Sequence, residues 1–218
     1  MVKKFHKQKS VFLYIEGGGD QAALRDELRR GFAEFFRKAA IDRLPKIIAG
    51  GGRNRTYDLY QIAVRQGKTC LLLVDSEDLV EENGESPWKH FLKRKGDEHW
   101  TKPLSAADND VHLMVCCMES WFLADRETLK NYFGQGFNEK SLRHEKNLIE
   151  SIPKQDVLDG LKKATKNCKT KFVYGKSEHS FALIALIDPQ KIEKASPWAE
   201  KLLKKLREGN ANKVYDTQ

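Results

Sequence analysis

Four cysteines, none in a Cys-x-x-Cys pair, leave little material for a disulfide framework or a zinc cluster. Cys70, Cys116 and Cys117 fall within apolar runs that read as buried strands. With Cys168 they are expected to be reduced thiols, as in a cytoplasmic protein. No apolar stretch approaches the roughly 20 residues needed to span a bilayer. A mean hydropathy of −0.63 agrees, so no membrane association is expected. The basic start, Met1 to Lys9, leads toward a strand with no apolar secretory stretch. The chain also has no G-x-G-x-x-G and no glycine loop closed by Gly-Lys-Ser/Thr. It carries no nucleotide-binding loop, so energy-dependent sensing would have to come from a partner. Recognition-helix, RNP and zinc-knuckle motifs, internal repeats and low-complexity segments are missing too.

What the chain does have is charge. Thirty-nine Lys and Arg against 31 Asp and Glu give a net charge of +8 over 218 residues. Lysines concentrate in the last third, at Lys162, Lys163, Lys166, Lys169 and Lys171, and again from Lys201 to Arg207. Such a balance suits a polyanionic partner, DNA or RNA, but solubility alone accounts for it as well, and a nucleic-acid partner gains weight only beside a metal site.

Short apolar runs alternate with helical periodicity. Strands are expected at 11–15, 46–49, 69–74 and 112–117. Leu24, Leu28, Phe32, Phe35 and Ala39 recur at helical spacing, giving a helix near 20–40 with Asp20 as its N-cap. A second helix is expected at 57–66. The polar stretch 79–110 reads as an insertion or lid with one short helix near 86–95. From about Lys154 onward the signal is helical, with Pro189 and Pro197 marking starts. The order implies an α/β, Rossmann-like domain with a mainly parallel sheet. Residues 1–125 would form the core, and 126–218 a helical cap packed on it.

Two strands end in acid. Val11 to Ile15 runs into Glu16 and then Gly17-Gly18-Gly19, and Thr69 to Val74 runs into Asp75-Ser76-Glu77-Asp78. Ligands of parallel sheets gather at the carboxyl ends of strands, so these carboxylates should meet at one edge. Carboxylates held together repel, and a divalent cation such as Mg²⁺ or Mn²⁺ resolves the repulsion. Alternation along an extended segment puts Asp75 and Glu77 on one side. The glycine turn allows positive φ and close backbone approach. Arg53 and Arg55, in the loop after the second expected strand, could hold phosphate by forked hydrogen bonds.

Strand, Glu16, glycine turn, then strand and an Asp-x-acid motif together resemble the Toprim (topoisomerase–primase) fold. The resemblance implies that Glu16 serves proton transfer and metal binding, and that the Asp-x-Asp pair holds Mg²⁺. Here Glu77 stands where the second aspartate is usual, which leaves Glu77 and Asp78 both as candidates. A more specific resemblance covers most of the chain. Gly52 to Arg55, Met118 to Asp125, Ile152-Pro153-Lys154, Tyr174-Gly175-Lys176, His179-Ser180-Phe181, Ile187-Asp188-Pro189 and Ala195-Ser196-Pro197 are similar to the family called domain of unknown function 4276. That resemblance implies a compact Toprim-like protein encoded beside an ABC- or AAA-type ATPase in bacterial anti-phage systems. It implies a further metal ligand in Glu119, which could equally be a first-turn glutamate favoured by the helix dipole. Lys176 would sit near the scissile phosphate. His179 is expected to pack or to contact phosphate more than to act as general acid or base. The expected activity is a Mg²⁺-dependent nuclease, a toxic defence effector. The alternative is a silent nucleic-acid-binding or regulatory subunit of the ATPase complex, and a homodimer is a further expectation.

Overall fold

The computed structural model describes residues 10–81, 86–143 and 148–211. The basic N-terminal segment and part of the expected lid, residues 82–85, lie outside the described residues. Four strands, β1 (Phe12–Glu16), β2 (Lys46–Gly51), β3 (Cys70–Asp75) and β4 (Val111–Met114), form a sheet in the order β2-β1-β3-β4. All three pairings are parallel. The chain leaves β1 toward β2 through α1 (Ala22–Lys38), then returns past β1 to β3 through α2 (Arg53–Arg65). The strand order therefore reverses between β1 and β3, the place where α/β sheets open a crevice for ligands.

Strand alternation sorts the core into two layers. Leu13, Ile15, Leu71 and Leu73 face Leu28, Phe32, Phe35 and Phe36 of α1. Tyr14, Leu72 and Val74 face Tyr57 and Tyr60 of α2. The first layer is completed by a 3-10 segment, Met118–Ala124, and by α4 (Arg126–Phe133), α5 (Lys154–Thr165), α6 (Lys176–Leu186), α7 (Pro189–Ala195) and α8 (Pro197–Ala211). Pro189 and Pro197 open their helices as expected, because a first-turn proline has no amide to lose.

Three local expectations differ from the structure. Helix α1 begins at Ala22 with Gln21 as N-cap, so Asp20 caps nothing. Strand β4 stops at Met114, because Cys116 adopts a left-handed φ of 59° that turns the chain. The stretch 79–110 is a layer of core more than a lid. Trp88 and Phe91 of α3 (Pro87–Lys93), Trp100 and Ala106 are buried in the layer that also holds Tyr57 and Tyr60 of α2. Trp100 stacks on Tyr57 with centroids 4.3 Å apart and planes 7° from parallel. Most of that apolar burial comes from a few scattered aromatics, which form no period that sequence reading detects. All four cysteines are free and buried. Among the described residues no helix is long and apolar enough to cross a membrane.

The packing of α1 on α6 bears directly on the site, since Lys176 opens α6. A Cβ on Gly31 would lie 2.5 Å from the Phe181 carbonyl oxygen. Gly31→Ala should therefore destabilise the protein by about 1–2 kcal/mol in urea unfolding. Alanine's helix propensity gains only about 1 kcal/mol, less than forcing two helix backbones apart costs. A rise in the unfolding midpoint would show that the contact yields.

Candidate metal centre

The bottom of the crevice is built from backbone before any side chain is considered. At the end of β1 the pairing with β2 shifts register between Ile15 and Glu16, and Gly17 to Gly19 follow with positive φ. Gly18 both needs that conformation (φ 81°) and lies where a Cβ would meet Arg25 Cα at 2.9 Å. Beyond β3 the chain keeps pairing with the β4 segment: Ser76 N donates to Met114 O (2.9 Å) and Glu77 N to Cys116 O (3.1 Å). Glu77 has a φ of 68°, a left-handed conformation uncommon for a non-glycine residue.

These turns bring one carboxylate oxygen each from Glu16, Asp75 and Glu77 within 4.8 Å of one another. Asp75 is buried, and Glu16 and Glu77 are partly buried. Asp75 Oδ1 accepts the Met118 amide (2.8 Å), and Glu16 Oε2 accepts the Asp75 amide (3.2 Å). Extended alternation was the expected reason for Asp75 and Glu77 to share a side; the left-handed turn at Glu77 is what the structure uses. A cavity of about 240 Å³ opens onto this cluster, lined by Glu16, Gly18, Gly51, Asp75, Met118 and Lys176.

Three cations answer the acids. Arg53 pairs with Glu16 at 3.2 Å, Lys154 with Glu77 at 2.6 Å, and Lys176 lies 3.6 Å from Asp75 and 3.5 Å from Glu119. Burial pushes the Asp75 carboxyl up to about 7; Lys176 opposes the shift, while Glu16 and Glu119 add to it. Burial also raises Glu16, against the pull of Arg53. Lys176 is disfavoured by burial, yet Asp75 and Glu119 hold its ammonium well above the usual lysine range.

A family model described as Domain of unknown function (DUF4276) matches residues 15–207, which takes in every acid and cation of this cluster. The chain belongs to that family. No curated protein and no solved structure matches it.

In this DUF4276 member the remaining candidates fall in different places. Glu119, on the Met118–Ala124 segment, is wholly buried; its Oε1 accepts from Tyr174 Oη (3.0 Å) and Ser180 Oγ (3.3 Å). Among the described residues its Oε2 has no hydrogen-bond partner, and the Lys176 ammonium lies 3.5 Å from it. Glu119 thus backs the cluster from below. Asp78 is exposed and turns toward Arg94 (3.7 Å), outside the three-acid group. Arg55 is exposed on the first turn of α2, its guanidinium 3.4 Å from the Gly50 carbonyl. Arg53 reaches the cluster, but its donors go to Glu16, Asp97 and the Asp75 carbonyl instead of open space. His179 is buried with both nitrogens taken. Nδ1 accepts the Gly175 amide (2.9 Å) and Nε2 donates to the Lys171 carbonyl (2.9 Å), so it ties a loop and does not face the cluster.

Sequence reading assigned no role to Lys154, Asp97 or Tyr174. Lys154 stands in the Ile152-Pro153-Lys154 motif and Tyr174 in Tyr174-Gly175-Lys176, so motif membership pointed at both. Asp97 carried no signal, because its meaning lies in Arg53, which is 44 positions away.

Proposed function

We propose that this protein is a divalent-metal-dependent phosphodiesterase, a nuclease of Toprim-like type acting on DNA or RNA. The observation that carries the reading is the convergence of Glu16, Asp75 and Glu77 at the carboxyl ends of adjacent parallel strands, with Lys176 beside them. The donor set is all oxygen, which suits Mg²⁺ or Mn²⁺ over zinc or copper. The orphaned Glu119 Oε2 adds buried negative charge behind it. With all four carboxylates ionised, as they would be around a bound cation, they outnumber the three protein cations by one.

Glu16, Asp75 and Glu77 would hold the ion. Such an ion lowers the pKa of bound water and offsets charge on phosphate oxygens. The chain's own residues would do the rest. Glu16, raised by burial, is suited to take a proton from an attacking water. Lys176 is suited to face the charge that develops on a phosphodiester in the open cavity. Arg53 fixes the Glu16 carboxylate, and Lys154, partly exposed beside Glu77, can turn to a phosphate.

A second reading rests on one observation: each acid of the cluster already has a protein cation beside it. That arrangement also suits a catalytically silent subunit regulating a partner. The family resemblance points to an ATPase encoded nearby and to a defence role, and net charge of +8 supports a nucleic-acid partner.

The test is incubation of the purified chain, alone and with the neighbouring ATPase, with plasmid, tRNA and single strands in Mg²⁺, Mn²⁺ or EDTA. Metal-dependent cleavage abolished by EDTA is the expected result. Cleavage that persists in EDTA, or none under any condition, would sink the nuclease reading, and the latter would leave the regulatory one standing.

A further inference from the structure

Exposed aromatic side chains are few here, and one of them stands in an unusual position. Phe172 is 70% exposed and its neighbour Val173 is 44% exposed. Phe172 has a φ of 57°, a conformation that is an outlier for a bulky side chain and that persists only where the surroundings enforce it. The surroundings do enforce it. His179 clamps the loop at both ends, through the Lys171 carbonyl and the Gly175 amide. The Tyr174 amide donates to Thr165 Oγ1 at 2.7 Å, and Tyr174 itself is buried with its hydroxyl on Glu119. The phenyl ring is therefore held out into solvent by a fixed loop, at an energetic cost that packing does not recover.

Exposed lysines stand close to the ring along the chain. Lys162, Lys163, Lys166 and Lys169 precede it on α5 and the loop, all exposed, and none is in an ion pair among the described residues. The Lys171 ammonium lies over the Tyr132 ring, 5.0 Å from its centroid. Four residues beyond Phe172 comes Lys176, which is at the acid cluster. An exposed ring among cations that lead toward a phosphate-handling site matches the way proteins hold single strands, with bases on aromatic faces and phosphates on lysines.

We propose that Phe172, flanked by Lys169 and Lys171, is a stacking platform that positions single-stranded nucleic acid for the acid cluster, an inference that rests on the nuclease reading and narrows its substrate to unpaired strands. Duplex is disfavoured because its bases are already stacked on one another and cannot cover the ring. A protein docking on Phe172 and Val173 is the competing occupant; the unpaired lysines favour a polyanion over it.

The test is fluorescence anisotropy of a labelled single-stranded 15-mer and its duplex, in EDTA so that no cleavage occurs, with the full chain. Phe172→Ala should weaken single-strand binding roughly 5- to 150-fold, the range of one lost base stack. Phe172→Trp should bind as tightly as wild type or tighter. Lys169→Ala should instead reduce the salt slope by about 0.7. Single-strand affinity unchanged in Phe172→Ala, or a duplex bound as tightly as the single strand, would overturn the platform. If the alanine variant folds poorly, a Phe172→Trp protein that binds more weakly than wild type would do the same. Because binding is read without metal, a platform that binds strands which are never cut would refute the nuclease reading alone. Metal-dependent cutting with no Phe172 effect would refute only the platform.

Discussion

Asp75→Asn should lower metal-dependent cleavage by about 10³-fold or more, while the metal-free protein remains at least as stable as wild type. An amide oxygen can still accept the Met118 amide hydrogen bond, so the local fold has no reason to change. What disappears is the charge at the centre of the cluster, and several kcal/mol of charge stabilisation by a bound metal is worth that factor in rate. Stability should respond in the opposite sense to activity. The Asp75 carboxyl is raised to about 7 in the fold, so between an unfolded value near 3.8 and 7 the native state binds more protons than the unfolded one. Metal-free wild type therefore gains stability from Asp75 as pH falls through 7 and loses it as pH rises. The asparagine variant lacks this term. His112, which burial and the nearby Lys205 hold well down at about 3, acts the other way below pH 6.5, so the comparison must be wild type against variant at each pH.

Metal affinity carries the same sign information. A proton on Asp75 competes with the ion, so apparent Mg²⁺ affinity should fall about tenfold for each pH unit below 7. Thermal melts with and without Mg²⁺ at pH 6 and 8 measure it directly. Mg²⁺ should raise the melting temperature of wild type more at pH 8 than at pH 6, and should not raise that of Asp75→Asn. An equal rise in both proteins, or cleavage by the variant at the wild-type rate, would remove Asp75 from the site.

The second large effect is expected at Arg53. Its Nε and one terminal nitrogen grip Asp97 at 3.0 and 2.7 Å, and the other terminal nitrogen reaches Glu16 and the Asp75 carbonyl. The guanidinium also lies over Trp100 and Phe91, 4.7 and 5.6 Å from their ring centroids. Asp97 is buried, and without Arg53 it would keep only Arg94, at 3.1 Å. Arg53→Ala should cost about 3–5 kcal/mol, since it strands buried charge, and lower the melting temperature by about 10 °C. Arg53→Lys should recover little, because an ammonium cannot reproduce the fork. A variant within about 1 kcal/mol of wild type in urea unfolding would show that the scaffold tolerates the loss of Arg53 and that Asp97 is not left stranded.

Glu16 and Asp75 were legible in the sequence because what places them is local. Each ends an apolar run, and in a parallel sheet every strand's carboxyl end lies on one edge, so finding the strands nearly suffices to find the site. The same logic covers α1, whose apolar residues repeat at helical spacing, and the proline-started α7 and α8. Tertiary structure alone decided the rest. Glu77 enters the cluster and Asp78 does not, because pairing of the Glu77 amide with Cys116 imposes a left-handed turn that no sequence period records. Lys154 belongs to the site only because α5 delivers it to a carboxylate 77 positions earlier. Arg53 turns inward because Asp97 and two aromatic rings wait there, in a stretch whose polarity had marked it as a lid. Periodicity reports which face of an element is apolar; it says nothing about which distant charge will meet which, and those meetings are decided by the tertiary fold.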